Sequence, residues 1–448
     1  MKKMDVIVVG GSAAGLTAAI TCRRHYPKKT VLIIRKEKQV MVPCGIPYIF
    51  GTLSSPEENI VPDSVLEKNG IELAVTEVTG IDRTKRTLRT ENGEEFAYEK
   101  LVLATGSVPM IPPIPGADLE NVFVVKKDLP HLQKMLDRLN ESSNLVIVGG
   151  GFIGAEFADE CRKNRDIKIT IVEMLPRCLM LSYDEEICAI AEQIEREQGI
   201  DIRAPEKVEA FLGNGAVKAV KLANGEELKA DMVILGIGCD PNARLAEKAE
   251  LELGSTEGIQ VNRYMQTSDD NIFACGDCAE KVSFFDGKPS ELKLASTATR
   301  EARIAGANLF GMSRVNDGVI GVWSTVLADT AFALAGLSVR EALEKGYNVV
   351  IGQAEGPNRH PGNMPEAANL MVKLVFERGT RIILGGQVVG AKCAGELINT
   401  ISAGIHEKMT ANEVALFAMG THPALTASPI AYQLTNAAEM AIKAAESC

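Results

Sequence analysis

Short apolar, β-branched runs alternate with helical patterns through the first half of the chain. Residues 6–9, 31–34 and 101–104 read as buried strands, with a helix over 15–26 between the first two. The alternation returns at 145–148, 169–172 and 232–235, with a helix over 153–162. Beyond Gly318 the texture becomes β-rich, with helices predicted near 339–345 and 412–417. The most apolar stretch, 319–337, is interrupted by Asp329 and several Ser and Thr, so a buried strand and helix explain it better than a membrane span. Between the second and third strands lies a long excursion punctuated by Gly45, Pro47, Gly51 and Pro56, which predicts Cys44 at a turn leading into a helix. Pro109, Pro112, Pro113 and Pro115 predict a stiff linker at a domain boundary.

Two of the strand-to-helix junctions are glycine-rich: Val-Ile-Val-Val-Gly10-Gly-Ser-Ala-Ala-Gly15 and Leu-Val-Ile-Val-Gly149-Gly-Gly151-Phe-Ile-Gly154. Glycine permits the tight turn and the close approach of a pyrophosphate, whose charge rests on the helix N-terminus. One such loop is weak evidence of a nucleotide, whereas two in matched contexts predict two nucleotides. Glu173 ends the strand after the second loop, where a carboxylate accepts from a ribose 2′-hydroxyl and repels a 2′-phosphate, favouring NADH over NADPH. Cys44, in Val-Pro-Cys-Gly-Ile-Pro-Tyr, is placed to pass electrons from the nucleotides to sulfur.

Composition narrows the class. The 448 residues exceed one ordinary core, and 46% apolar content suits a globular chain of two or three domains. A net charge of −11 argues against nucleic acid or an anionic membrane surface as partner. Met-Lys-Lys-Met-Asp is followed by too few apolar residues for a secretory signal, and the ten cysteines lack framework spacing, so a reducing cytoplasm is expected.

In this order, the two loops, Ala104-Thr-Gly106 and Ile272-Phe-Ala-Cys-Gly-Asp277 resemble the pyridine nucleotide–disulfide oxidoreductase superfamily along essentially the whole chain. Cys44-Gly-Ile-Pro-Tyr is similar to its single-cysteine branch, which holds coenzyme A disulfide reductases, NADH-dependent persulfide reductases, NADH oxidases and NADH peroxidases. Two-cysteine relatives carry a second thiol where this chain has Ile49. The resemblance implies an α/β fold with two Rossmann-like dinucleotide-binding domains, for FAD and NAD, and a C-terminal α+β dimerisation domain. Residues 1–115 and 244–317 would bind FAD, 116–243 NADH, and 318–448 would form the interface of a homodimer. No rhodanese-like extension follows, so a persulfide would come from outside.

By the same resemblance, FAD would meet Gly10, Ser12, Ala13, Ala14, Gly15, Arg35, Lys36, Pro43, Val78, Ala104, Thr105, Gly106, Asp277 and Ala298. NADH would meet Gly149, Gly151, Phe152, Ile153, Gly154, Glu173, Gly236, Ile237 and Gly238, with Phe152 as an aromatic gate. Thr17, Arg24 and Arg303 match positions lining a coenzyme A pocket, where arginine forks suit phosphate. Cys44 would be the redox thiol, with His422 and His360 as candidates for its proton donor. An acidic residue expected near position 35 for the FAD ribose is replaced by Arg35-Lys-Glu37; either Glu37 substitutes or the ribose is held differently.

Each sharp reading has a plain competitor. Cys275-Gly-Asp-Cys278 could mark zinc or a redox pair, but no second Cys or His pair completes a tetrahedral site, so no metal is expected and the two sulfurs read as structural. Cys448 reads as a frayed tail rather than an electron shuttle. Arg23 and Arg24 could be a solvated helix face, and His422 and His360 ordinary structural histidines. The expected activity is NADH-dependent reduction of a small disulfide, persulfide or polysulfide, with coenzyme A derivatives foremost. The alternatives are an NADH oxidase or peroxidase cycling Cys44 through sulfenic acid, and a slowly turning redox sensor.

Overall fold

The computed structural model describes residues 1–446, so Cys448 lies outside the described residues. The chain divides into two compact units. The first comprises Met1–Pro113, Phe123–Glu141 and Ile237–Val319; the second comprises Ile114–Val122, Ser142–Gly236 and the chain from Ile320 onward.

The first unit is built on parallel strands in the order Glu72–Val75, Val31–Arg35, Lys2–Val9, Glu95–Leu103. Glu95–Leu103 serves two neighbours. Its start pairs antiparallel with Thr87–Thr90, and its end pairs parallel with Ile272–Ala274, Leu101 opposite Ile272. Val6–Val9, Val31–Ile34 and Leu101–Leu103 are buried on both faces, which is why they read as unbroken apolar runs rather than alternating ones. The helix Ala13–His25 packs on the helix Ala295–Asn308 so closely that a Cβ on Gly306 would lie 2.5 Å from the Ala18 carbonyl oxygen. In place of a free linker, Ser107–Pro109 forms a short ribbon with Cys239–Pro241.

The second unit holds a parallel sheet in the order Met232–Leu235, Asn144–Val148, Lys168–Val172, Ile200–Arg203. It also holds a five-stranded antiparallel sheet: Val322–Leu327, Thr330–Gly336, Ile383–Gly390, Asn369–Glu377, Val349–Pro357. The helices Ala394–His406 and Gln433–Glu446 pack on the latter. A buried cation ties this sheet to the helix Glu185–Glu197: Lys373 Nζ donates to Asp184 at 2.7 Å and to Glu186. Gln387 Nε2 also donates to Asp184.

Two expectations change. The apolar run 319–337 is not a strand and a helix but two antiparallel strands, Val322–Leu327 and Thr330–Gly336, turning at Ala328 with φ 51°. Thr330–Gly336 is an inner strand of its sheet, buried on both faces, and so mimics a helix core in hydropathy. Cys44 is followed by no α-helix; it lies within one short 3₁₀ turn, Pro43–Gly45, before another, Pro47–Phe50. Pro47 has no N–H to donate to Pro43, so an α-helical turn cannot close there. Among the described residues, no helix is long and apolar enough to cross a membrane.

Candidate functional site

The two glycine loops are built alike. Gly10 has φ 112° and Gly149 has φ 101°, values that exclude an ordinary side chain. A Cβ on Gly15 would stand 1.9 Å from the Gly10 carbonyl oxygen, and one on Gly154 at the same distance from that of Gly149. The following helices, Ala13–His25 and Phe152–Arg162, start at Ser12 and Gly151 with no side-chain cap, leaving their first N–H groups directed at whatever enters. Each loop is thus a backbone cradle of the shape and polarity that a dinucleotide pyrophosphate requires.

Around the first cradle the fold gathers residues far apart in sequence. A Cβ on Gly10 would strike the Ala104 carbonyl oxygen at 2.1 Å, and one on Gly276 would come within 2.8 Å of Ala14 and 3.5 Å of Ala298. Gly10 therefore packs on Ala104, and Gly276 on Ala14 and Ala298. Asp277 accepts from Ser107 Oγ at 2.8 Å and faces Lys127 at 3.9 Å. Thr105 donates its hydroxyl to the Asn242 carbonyl at 2.6 Å, and Gly106 turns with φ 71°. Lys36 is exposed, Pro43 lies in the Cys44 turn, and Val78 opens the strand Val78–Asp82.

Arg35 departs most from expectation. It is buried, and its guanidinium makes a bidentate pair with Asp63, both contacts 2.8 Å, while also donating to the Glu37 and Lys38 carbonyls.

Around the second cradle, Glu173 is also buried, but its charge serves the loop itself. Its carboxylate accepts from the Gly150 N–H at 2.6 Å and the Leu175 N–H at 2.7 Å. Each oxygen keeps a further lone pair. Gly236 packs against Gly154 and Ile153. Phe152 stands edge-on to Tyr183 and Trp323, with ring centroids 5.8 Å apart in both pairs. Ile237 and Gly238 fall in the first unit, where the Gly238 carbonyl accepts from Met110 N–H.

Cys44 is exposed, whereas Cys22, Cys161, Cys178, Cys188, Cys275 and Cys278 are buried. Burial pushes the thiols of Cys22 and Cys188 up to about 12 and those of Cys275 and Cys278 upward too, which keeps them protonated and unreactive. Cys278 Sγ donates to backbone carbonyls, in keeping with a structural part.

In the second unit the two histidine segments meet. His360 Nδ1 lies 3.0 Å from the Thr426 carbonyl, and its N–H donates to the Pro423 carbonyl. A carbonyl only accepts, so Nδ1 carries the proton and Nε2 offers a lone pair. His422 is exposed, and its Nδ1 accepts from Ala424 N–H at 3.2 Å, which leaves Nε2 as its donor. Thr17 is half-buried, and Arg24 and Arg303 are exposed, on the packed pair Ala13–His25 and Ala295–Asn308. Arg23, by contrast, caps the carbonyls of Pro27, Lys29 and Asn69.

Residues 4–302 match the family described as pyridine nucleotide-disulphide oxidoreductase, and residues 322–430 match its dimerisation domain. The chain belongs to this family. It is an oxidoreductase with the family's mixed α/β architecture. A protein of Methanocaldococcus jannaschii named NADH oxidase is 32% identical over 98% of this chain and 99% of its own length. The NAD(P)H coenzyme A polysulfide/persulfide reductase of Pyrococcus horikoshii is 33% identical over 87% of this chain and 88% of its own. Among solved structures, the NAD-dependent persulfide reductase of A. fulgidus superposes with a TM-score of 0.90 at 31% identity, covering 98% of this chain and 83% of that one.

Sequence reasoning missed the residues that hold the site residues in place. Glu301 accepts from the Gly276 N–H at 2.8 Å, and Lys281 donates to the Gly276 and Ala279 carbonyls, so this buried pair grips the loop bearing Asp277 from both sides. Burial raises the Glu301 carboxyl to about 7. Asn59 donates to the Val42 carbonyl at 2.9 Å, and its Oδ1 fills the place a Gly45 Cβ would need, 2.1 Å away. All three are buried polar residues, a signal that one sequence does not display.

Proposed function

We propose that the protein is an NADH-dependent flavoprotein that reduces a small disulfide, persulfide or polysulfide, with coenzyme A derivatives as the substrate class. The observation carrying this reading is an exposed Cys44 on a proline-bounded turn in the same unit as an open pyrophosphate cradle. Gly10, Ser12, Ala13, Ala14 and Gly15 would hold the FAD pyrophosphate, with Ala104, Thr105, Gly106, Asp277 and Ala298 along the cofactor. Bound FAD supplies the two-electron relay between NADH and sulfur. Gly149, Gly151, Phe152, Ile153, Gly154, Glu173 and Gly236 would hold NADH. The Cys44 thiolate attacks the substrate's sulfur, a sulfur–sulfur bond forms to Cys44, and the leaving thiolate or sulfide takes up a proton. His422, through its Nε2–H, and His360 are the candidate proton carriers.

Arg24 and Arg303 are exposed forks on adjoining helices, which with Thr17 suits the phosphates of coenzyme A. Leu416, Leu425 and Ile430 are 80%, 66% and 89% exposed in the family's dimerisation domain, which supports a homodimer. Buried thiols support a cytoplasmic location.

The Methanocaldococcus relative's name favours a second reading, an NADH oxidase or peroxidase using the same Cys44. The intact mass of the protein as purified separates the two. An adduct of coenzyme A size on Cys44 supports the reductase; added oxygen supports the oxidase or peroxidase. Slow turnover with disulfides, polysulfide, peroxide and air alike would favour the sensor and sink both.

A further inference from the structure

The segment that carries Cys44 leaves the sheet at Arg35 and ends at Asp63, which precedes the short helix Ser64–Lys68. Its two limbs run side by side, Val40 opposite Val61 and Met41 opposite Ile60. Near the tip they are joined again, by Val42 N–H to the Asn59 carbonyl and by Asn59 Nδ2 to the Val42 carbonyl. Cys44 follows directly. The excursion is therefore a closed loop, and its geometry depends on how its neck is held.

Arg35 holds the neck. On the outgoing limb Nε donates to the Glu37 carbonyl at 2.9 Å and Nη2 to the Lys38 carbonyl at 3.0 Å. On the returning limb Nη1 and Nη2 each meet one oxygen of Asp63 at 2.8 Å. Four of the five guanidinium N–H groups are thereby used. The stem of the same side chain covers the glycine cradle, since a Cβ on Gly11 would lie 2.5 Å from Arg35 Cδ. Arg35 is 3% exposed, so the cationic half of the clamp is built into the fold. A lysine, with one point charge and no fork, could not span both limbs.

We infer that Arg35 is a positioning residue for the redox thiol: with Asp63 it closes the neck of the Cys44 loop and fixes that loop to the cofactor cradle. The position where the resemblance leads one to expect a ribose-binding carboxylate serves the thiol instead. The importance of this clamp for turnover rests on the reading of Cys44 given above.

The test uses the full-length protein with its flavin and compares Asp63→Ala, Asp63→Glu and Arg35→Lys with the parent. Asp63 has a 45% exposed side chain, so its replacement opens no cavity in the core, and Arg35 keeps its bonds to the Glu37 and Lys38 carbonyls. In Asp63→Ala, FAD content and NADH-dependent dye reduction should stay within about twofold. Amide hydrogen exchange across 36–63 should quicken at least tenfold, iodoacetamide should alkylate Cys44 at a changed rate, and NADH-driven reduction of coenzyme A disulfide should fall at least tenfold, mainly in kcat. Asp63→Glu should recover most of this, and Arg35→Lys should quicken exchange in the same segment. Unchanged exchange and alkylation in Asp63→Ala would overturn the proposal, as would a loss of FAD in step with the loss of turnover. Cys44→Ser separates the two ideas: normal turnover there would sink the role given to Cys44, while exchange across 36–63 would still decide the clamp.

Discussion

The two glycine loops have the same backbone and opposite endings. Each has a left-handed glycine after its strand and a second glycine pressed against the first one's carbonyl. The next strand then ends in a buried cation, Arg35, at one loop and in a buried carboxylate, Glu173, at the other. Glu173 turns inward and ties down its own loop through Gly150. Arg35 passes over its loop and grips a distant segment through Asp63. The shared backbone reflects a shared demand, an unscreened row of N–H groups for a pyrophosphate. The differing side chains reflect what lies next to each loop. On the function and the clamp proposed above, the second would read a ribose, whereas the first would also steady the excursion bearing a thiol.

The largest effect that would sharpen this comparison comes from blocking each cradle. Gly10→Ala forces a side chain into a φ of 112° and within 2.1 Å of the Ala104 carbonyl oxygen, so the purified protein should lose bound FAD and its yellow colour. Gly149→Ala, strained in the same way, should yield protein that keeps FAD but is no longer bleached by NADH. Loss of FAD from both variants would break the assignment of one nucleotide to each loop.

Cys44→Ser should be as drastic for one half of the chemistry and nearly silent for the other. Reduction of coenzyme A disulfide should drop at least a thousandfold, because serine forms no sulfur–sulfur bond, while NADH-dependent dye reduction should remain. Stopped-flow bleaching with NADH at the parent rate would confirm the separation. Normal disulfide turnover would make Cys44 structural.

A buried ion network in the second unit gives a stability effect of comparable scale. Lys373→Met leaves Asp184 and Glu186 without their cation, which should cost about 3–5 kcal/mol in denaturant unfolding. A loss below about 1 kcal/mol would show that Gln387 and the Val339 N–H satisfy Asp184 unaided.

Glu173→Gln keeps the size of the side chain and removes its charge. The preference for NADH over NADPH in kcat/KM should shrink about tenfold, near 1.4 kcal/mol, mainly through the KM for NADPH. Equal use of both nucleotides by the parent would remove the charge argument altogether.

The last effect depends on pH and concerns Glu195, on the helix Glu185–Glu197, whose two carboxyl oxygens have no hydrogen-bond partner among the described residues. Burial first, then repulsion from Asp159 and Glu192, raises its carboxyl from 4.5 to about 8. Folding therefore takes up a proton between those values, and stability falls as pH rises from about 4.5 to about 8 before levelling. Glu195→Gln lacks that slope and should gain on the parent by at most about 1.4 kcal/mol per pH unit across this window. Parallel Tm profiles from pH 5 to 8 would show Glu195 already ionised when folded.

Much of the frame was legible without coordinates, for reasons that can be named. The strands Met232–Leu235 and Asn144–Val148 differ by at most one residue from the sequence reading, because a strand covered on both faces must be apolar throughout and its ends are marked by glycine or polar residues. The glycine loops were legible because backbone approach leaves glycine no substitute. The turn at Cys44 was legible from the glycines and prolines around it, although that turn was expected to open a helix. The hairpin Val322–Leu327 and Thr330–Gly336 was misread because burial on both faces erases the period that distinguishes strand from helix.

What the sequence alone determined was whatever depends on local covalent and steric rules: where glycine is obligatory, where proline forbids a helix, which runs must be buried, and which cysteine stands in a turn. Only the tertiary structure decided what each buried charge is for. Arg35 and Asp63, Lys281 and Glu301, and Lys373 and Asp184 are separated by 20 or more residues, and nothing local marks them as partners. A buried ion is tolerated only where a counter-charge or a row of backbone dipoles meets it. That meeting is made by packing, so the purpose of such a residue becomes visible only when the chain is folded.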